Sequence, residues 1–211
     1  WRRDGCGEEP ARARAAAAAA RPVSGLRVNA LAPEATERRK KRVEGEGGQR
    51  VGHMGVALPG GAPPYLRRQE RDGLISYQSP AVLELLGCLE PEILVPPIWD
   101  ACAGRGGKTL ALMEQGVAVA AASDSSRPRI QGLEKEMLRL ERAGSFTVAR
   151  PGVLLADART ATPGGPLSGP FATILADVPC SGLGTLPRRP EIRLRRQAEG
   201  NAAFPDLPRG L

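Results

Sequence analysis

The sequence predicts an α/β fold: an open parallel sheet preceded by a small α+β module. Three observations predict it. From residue 72 onward, short apolar runs alternate with helical patterns, which signals βαβ units and a parallel sheet. The predicted strands end on acids, and the first of them runs straight into a glycine-rich turn, DACAGRGGKT, from Asp100 to Thr109. Before residue 72 the pattern is different, with charged helices, one short alternating strand and a Gly/Pro-rich stretch.

Taken in order, Glu8 to Ala20 is an Ala/Arg-rich helix ended by Arg21-Pro22. Gly25 to Leu31 (GLRVNAL) alternates as a short strand. Glu34 to Glu46 is a highly charged helix stopped by Gly45, Gly47 and Gly48. Val51 to Pro64 reads as a strand followed by a loop. These segments make up a module over 1–71, with its boundary near Asp72-Gly73. The second part, 72–196, opens with a helix from Ser79 to Leu86. Strand one is expected over Ile93 to Trp99, broken early by Pro96 and Pro97. A helix over Lys108 to Gln115 follows, then strand two from Val117 to Ala122, ending at Ser123-Asp124. Arg129 to Arg142 is a long helix with Ile130, Leu133, Met137 and Leu140 on one face. Strand three runs from Val153 to Ala156 and ends at Asp157; strand four runs from Phe171 to Ala176 and ends at Asp177. Ligands of open parallel sheets bind outside the carboxyl ends of the strands. The four acids Asp100, Asp124, Asp157 and Asp177 are therefore expected to converge on one crevice.

Composition narrows the function classes. Of the 211 residues 41% are hydrophobic and 25% charged, enough for a packed core and against wholesale disorder. Aromatics are only 3%, so the core is built from Ala, Val, Leu and Ile, and nucleic-acid contact would rest on charge more than on stacking. The net charge of +7 fits either a solvated Arg-rich surface or a polyanionic partner. Pro187 to Arg196 (PRRPEIRLRR) places five Arg in ten positions, which favours the partner. Cys6, Cys88, Cys102 and Cys180 are far apart and form no CxxC pair, giving no support for a zinc site or a disulfide framework. The single histidine, His53, has no metal-ligand neighbours and is expected in a surface loop. No apolar run approaches the roughly 20 residues of a membrane helix, so no membrane partner is expected and the chain reads as cytoplasmic. Because residue 1 is Trp, the sequence is expected to begin inside a longer gene product.

The glycine-rich turn is compatible with three cofactor classes, and spacing separates them. A Walker A loop matches Gly107-Lys108-Thr109 but requires Gly where Cys102 stands. A dinucleotide fingerprint begins at Gly104 and Gly106 but requires Gly where Thr109 stands. What remains is a strand-to-helix turn whose glycines admit a ligand close to the backbone, with helix N–H groups free for a carboxylate. The methionine carboxylate of S-adenosylmethionine suits that place; a purely structural turn is the alternative. Asp124 is positioned to accept ribose hydroxyls and Asp157 to meet an adenine amino group, although either could be a helix cap or turn residue. Then comes DVPCSGLG, from Asp177 to Gly184. Cys180, beside Pro at a strand terminus in an Arg-rich setting, is placed to be an accessible low-pKa thiol. A thiolate added to carbon 6 of cytosine makes carbon 5 nucleophilic, and an acid such as Asp177 can hold the base's exocyclic amine and ring nitrogen.

These motifs resemble the Sun/RsmB-type family of RNA cytosine-5 methyltransferases. The family loop DxCAAPGGKT is matched by DACAGRGGKT. Its Asp followed five residues later by Arg is matched by Asp124 and Arg129, and its Asp-x-Arg by Asp157-Ala158-Arg159. Its DxPCSGxGxxxRxPxIxxRR is followed closely by Asp177 to Arg196. Upstream, WRRDGCGEEPARA, GLRVNAL and the Asp72, Gly73, Gln78 pattern resemble the small, RNA-binding module before the family's catalytic domain. The resemblance covers 1–196. It implies a Rossmann-like class I methyltransferase sheet, here about strands one to four, with S-adenosylmethionine held by Cys102, Ala103, Gly104, Arg105, Gly106, Gly107, Lys108, Asp124, Arg129, Asp157 and Asp177. It implies structured RNA, typically ribosomal RNA, as substrate, and no metal. Two departures stand in the loop: Arg105 replaces Pro and Gly104 replaces Ala. Glu136 stands where the family often has Asn. In this family the attacking Cys belongs to a later TCS motif, which this chain would reach only beyond Leu211, and Cys180 is implied to help release the product. DNA cytosine-5 methyltransferases instead use the equivalent Cys as nucleophile. The pattern stops after Arg196, so 197–211 is an atypical tail, and the chain is expected to be a C-terminally truncated fragment, inactive alone. The alternatives are a non-catalytic RNA- or S-adenosylmethionine-binding remnant and a P-loop-like nucleotidase.

Overall fold

An apolar run with an arginine at its centre becomes strand β1 (Ser24–Val28), and every residue from Gly25 to Val28 is buried. The reason is its place: β1 is an inner strand of a four-stranded antiparallel sheet ordered β2-β3-β1-β4. β2 (Gln49–Val51) and β3 (Gly55–Leu58) form a hairpin, and β4 (Ile75–Tyr77) pairs with the other side of β1. Helix α1 (Pro33–Gly45) and the short α2 (Leu66–Arg71) supply Val43 and Leu66 to a core with Leu26, Val28, Val56, Leu58 and Ile75. Alternation along a strand turns Arg27 to the opposite face.

The structure, a computed structural model, describes residues 23–178 except 32, 60, 90–91, 161–166 and 168–169, together with 8, 9, 12, 13 and 16. Two units are distinguished, Val23–Val178 and a second combining Trp1–Pro22 with Pro179–Leu211. In the second, the described residues Glu8, Glu9, Arg12, Ala13 and Ala16 are helical, and Arg12 pairs with Glu8 at 2.9 Å. The rest of the expected Glu8–Ala20 helix, the Arg-rich run and the tail lie outside the described residues.

Within Val23–Val178, α3 (Pro80–Gly87) starts with Pro at its first position, where a missing N–H costs nothing. It leads to a parallel sheet of β5 (Ile98–Asp100), β6 (Val119–Asp124), β7 (Gly152–Leu155) and β8 (Thr173–Leu175). Helices α4 (Gly107–Glu114) and α5 (Arg127–Leu140) are the crossovers between β5, β6 and β7. The order β7-β6-β5-β8 is third, second, first, fourth along the chain, so the winding reverses between β5 and β8. This is the Rossmann-like order expected, and the reversal marks where such sheets bind ligands. The main core joins Ile98, Leu110, Leu112, Met113, Val119 and Leu133 with Met54 of the β2–β3 turn and Leu86 of α3.

Several element boundaries differ from the sequence reading. Strand one begins at Ile98 rather than Ile93, because Pro96 and Pro97, joined by a cis peptide, have no N–H to give a ladder. Val51 to Pro64 holds the expected strand and loop, but the strand starts at Gly55 and is the second arm of a hairpin with β2. Helix α2 and strand β4 were not anticipated; each is too short to show a period. Because β4 pairs with β1, the first sheet continues past Asp72-Gly73 to Tyr77.

Candidate functional site

At the reversal, β5 ends on Asp100 and the chain enters the glycine-rich turn. Backbone bonds strap that turn across the neighbouring strands: Ala101 N–H donates to the Leu175 carbonyl at 2.9 Å and Ala103 N–H to the Ser123 carbonyl at 2.8 Å. Gly104 (φ 58°) and Gly106 (φ 84°) take left-handed conformations open chiefly to glycine. At Gly106 a Cβ would stand 2.9 Å from Leu133 Cγ and 3.1 Å from Leu110 Cδ1, so the turn rests directly on the core. At Gly104 a Cβ would meet only Asp124 Oδ2, at 4.0 Å. A helix leaves its first N–H groups without intrahelical partners, and Gly106 at the N-cap of α4 makes no side-chain capping bond. The start of α4 thus presents donors to an anion.

Two of the four acids are built into this turn. Asp100, 1% exposed, accepts the Thr109 hydroxyl at 2.6 Å on Oδ2 and the Cys102 N–H at 3.4 Å on Oδ1. Burial pushes its carboxyl up to about 6, against the opposing pull of the Thr109 bond. Asp124, 5% exposed, accepts Gly104 N–H at 3.0 Å on Oδ2 and Ser126 N–H at 2.8 Å on Oδ1, with Arg129 Nη1 3.6 Å away. The other two lie just past their strands and are more open. Asp157 is held by its neighbour Arg159, whose Nη2 stands 2.6 Å from Oδ2 and whose backbone N–H donates to Oδ1; these bonds hold the carboxyl down to about 2. Asp177 pairs with Lys108.

Other loop positions are less reactive than their types suggest. The Cys102 thiol is pushed up by burial and by Asp100, which keeps it protonated. Arg105, in place of the family's Pro, lies over α5: a Cβ at Gly132 would stand 3.2 Å from its Cγ and Cζ. Thr109, which a P-loop would use on magnesium, spends its hydroxyl on Asp100 instead. Glu136, in place of the family's Asn, pairs with Arg139 at 2.7 Å. Cys180 lies outside the described residues.

The sequence reading gave no site role to Thr109, Arg27, Gln78 or Glu114, although Thr109 and Gln78 stand in motifs it singled out. Arg27 Nη1 donates to the Gly107 carbonyl at 2.8 Å and to Gln78 Oε1 at 2.6 Å, and its Nη2 to Glu114 Oε1 at 2.9 Å. The signal was an arginine inside a strand of otherwise apolar residues, which demands a partner; nothing in the sequence pointed to Glu114 as that partner. Among the described residues, no group of three or more His, Cys, Asp and Glu could hold a metal ion, and no helix is long and apolar enough to cross a membrane.

The family model described as 16S rRNA methyltransferase RsmB/F matches residues 88–211. A Mycobacterium tuberculosis H37Rv protein named as a candidate methyltransferase, Rv1407, is 36% identical over 122 residues, covering 53% of this chain and 22% of its own length. The ribosomal RNA small subunit methyltransferase B of Vibrio cholerae El Tor is 32% identical over 142 residues, covering 66% of this chain and 30% of its own length. The chain therefore spans less than a third of either relative. Among solved structures, a methyltransferase homolog protein from Pyrococcus horikoshii superposes with a TM-score of 0.60 at 26% identity, over 89% of this chain and 58% of that one. The protein PH0851 superposes with a TM-score of 0.67 at 24% identity, over 89% of this chain and 42% of that one.

Proposed function

Because the chain belongs to the 16S rRNA methyltransferase RsmB/F family, we propose that it carries the cofactor site of an S-adenosylmethionine-dependent enzyme that methylates carbon 5 of cytosine in ribosomal RNA. The observation that carries this reading is the turn at the sheet's reversal, where two glycines in left-handed conformations and two buried acids surround the start of α4. Those residues fit the cofactor: Gly104 leaves open space where a side chain would stand, and the first N–H groups of α4 suit a carboxylate. When bound, S-adenosylmethionine supplies a methyl group on a sulfonium centre.

The chain's own residues divide the remaining work. The turn from Cys102 to Lys108 receives the amino-acid part, with Ala103, Arg105, Gly106 and Gly107 giving it shape. Asp124 takes the ribose hydroxyls; each of its oxygens accepts one backbone N–H and keeps a further lone pair. Arg129 Nη1, 3.6 Å from Oδ2, steadies that carboxylate, and Asp157 receives the adenine amino group. Asp177 orients the cytosine through its exocyclic amine and ring nitrogen, and Cys180 assists release of the product. The module before the parallel sheet and the Arg-rich run after Pro187 meet the RNA backbone, as the net charge of +7 favours. The site of action is the cytoplasm, a reading supported by the relative named for ribosomal RNA methylation.

The test is calorimetric titration of the 211-residue chain with S-adenosylmethionine and, separately, ATP, followed by tritium release from RNA carrying [5-3H]cytidine. Binding of S-adenosylmethionine that disappears in Asp124→Ala is expected. Binding of ATP alone would sink the reading in favour of a nucleotidase. Cofactor binding without tritium release, persisting when the relatives' missing length is restored, would favour a non-catalytic remnant.

A further inference from the structure

We propose that Arg27 is a positioning residue for the cofactor turn, so that a strand outside the parallel sheet sets part of the affinity for S-adenosylmethionine. The inference rests on the reading of that turn as the S-adenosylmethionine site. Arg27 sits on β1 of the antiparallel sheet and is 2% exposed. Its guanidinium grips α4 at both ends. Nη1 donates to the carbonyl of Gly107, the first residue of the helix, at 2.8 Å. Nε and Nη2 donate to the carboxylate of Glu114, its last residue, with Nη2 at 2.9 Å. One group can do both because Glu114 follows Gly107 by two turns on the same face, and helical side chains lean toward the N-terminus.

The Gly107 carbonyl receives a second donor, Gln78 Nε2 at 3.2 Å, while Gln78 Oε1 takes a bond from Arg27 Nη1 at 2.6 Å. Two donors on one carbonyl fix the plane of its peptide unit. In a planar trans peptide the N–H points opposite the C=O, so fixing the Gly107 carbonyl fixes the direction of the Lys108 backbone N–H. That N–H is among the donors at the start of α4 that have no intrahelical partner. Arg27 therefore aims a ligand-facing donor without touching the ligand. Glu114 serves the same end. An acid at a helix C-terminus is disfavoured by the helix dipole, and a fully buried one is costly unless paired. Its side chain is 0% exposed against Arg27, which explains its presence there as the counter-charge that orients the guanidinium.

The experiment measures S-adenosylhomocysteine affinity by calorimetry and thermal midpoint on the full chain, for wild type, Arg27→Lys, Gln78→Leu and Arg139→Met. Arg27→Lys keeps the charge opposite Glu114 but has no fork to span the helix; about tenfold weaker binding is expected, the worth of roughly one hydrogen bond. Gln78→Leu removes the second donor to Gly107 without stranding a charge, so it tests the idea even if Arg27→Lys fails to fold; roughly threefold weaker binding is expected. Arg139→Met is the control, because Arg139 bonds Ile75 O and Ser76 Oγ of the same sheet from α5, away from the turn. It is expected to lower the thermal midpoint and leave affinity unchanged. Wild-type affinity in Gln78→Leu, and in Arg27→Lys where that variant folds, overturns the inference, as does an equal loss in Arg139→Met, which would make the effect general loosening. Failure of the wild-type chain to bind S-adenosylhomocysteine would instead overturn the reading of the turn.

Discussion

Replacing Gly106 by alanine should be among the most damaging single-methyl changes in this protein, and the structure says by how much. Two separate terms add. The residue has φ 84°, and a side chain in the left-handed region costs about 1–2 kcal/mol. The new Cβ would also stand 2.9 Å from Leu133 Cγ and 3.1 Å from Leu110 Cδ1, and both leucines are fully buried with nowhere to retreat. Overpacking of that kind costs about 1–3 kcal/mol. The sum, about 2–5 kcal/mol, is a large share of the 5–15 kcal/mol typical of a folded domain. Gly104→Ala provides the contrast: its φ is 58° but the nearest atom to the new Cβ is Asp124 Oδ2 at 4.0 Å. It should lose only the conformational term, about 1–2 kcal/mol. Urea unfolding followed by far-UV circular dichroism reads both. With a slope of about 2 kcal/mol/M, the Gly106→Ala midpoint should fall by about 1–2.5 M and that of Gly104→Ala by about 0.5–1 M. Equal midpoints for the two variants would refute the steric half of the reasoning. A Gly106→Ala protein within about 0.5 kcal/mol of wild type would refute all of it.

Other perturbations follow from single side chains. Asp100 has its carboxyl raised from 3.8 to about 6, so the folded state holds its proton more tightly than the unfolded chain does. Its contribution is present in full below pH 4 or so and is lost as pH rises through about 6; Asp100→Asn should flatten that stretch of the stability–pH curve, by on the order of 2–3 kcal/mol. Glu114→Ala strands a buried guanidinium and should cost about 3–5 kcal/mol, while Arg27→Met combined with Glu114→Leu should recover most of that loss in the same unfolding assay. Leu133→Ala removes a wall of the main core under the turn and should cost about 2–5 kcal/mol. Asp177→Asn breaks an ion pair whose acid is 58% exposed, so its unfolding midpoint should shift by less than about 1 kcal/mol allows.

The parallel sheet was legible in the sequence because each of its strands is apolar and ends near an acid, and helices separate the first three. α5 displays Ile130, Leu133, Met137 and Leu140 on one face, and all four are buried. The glycines of the turn were legible because their spacing excluded the two better-known nucleotide loops. Less legible were elements whose pairing comes from far along the chain. Gly52-His53-Met54 closes a hairpin that no short-range turn signature of two residues announces. Ile75–Tyr77 is too short to read as a strand and exists because β1 supplies its partner. Arg27 and Glu114, 87 positions apart, meet only through the packing of α4 on the first sheet. Asp124 was expected as a cofactor ligand and Asp100 only as one of the acids at the strand ends; in the structure both bond to the turn and hold it together.

The seam between the two sheets also governs how the molecule can be taken apart. At Gly73 (φ 75°) a Cβ would stand 2.0 Å from the Arg139 carbonyl, and Asn29 Nδ2 bridges Gly73 O at 2.7 Å and Leu140 O at 3.1 Å. An experimenter excising the parallel sheet as a minimal catalytic unit would uncover the α5 backbone along this line. The same cut would leave a carboxylate at the end of α4 with no cation. Recombining the antiparallel sheet of one relative with the parallel sheet of another meets the same obstacle, since Arg27, Asn29, Gly73, Glu114 and Arg139 must be exchanged as a set. Exchange points for chimaeras belong outside Val23–Val178, and the small sheet is inherited with the turn that it holds in place.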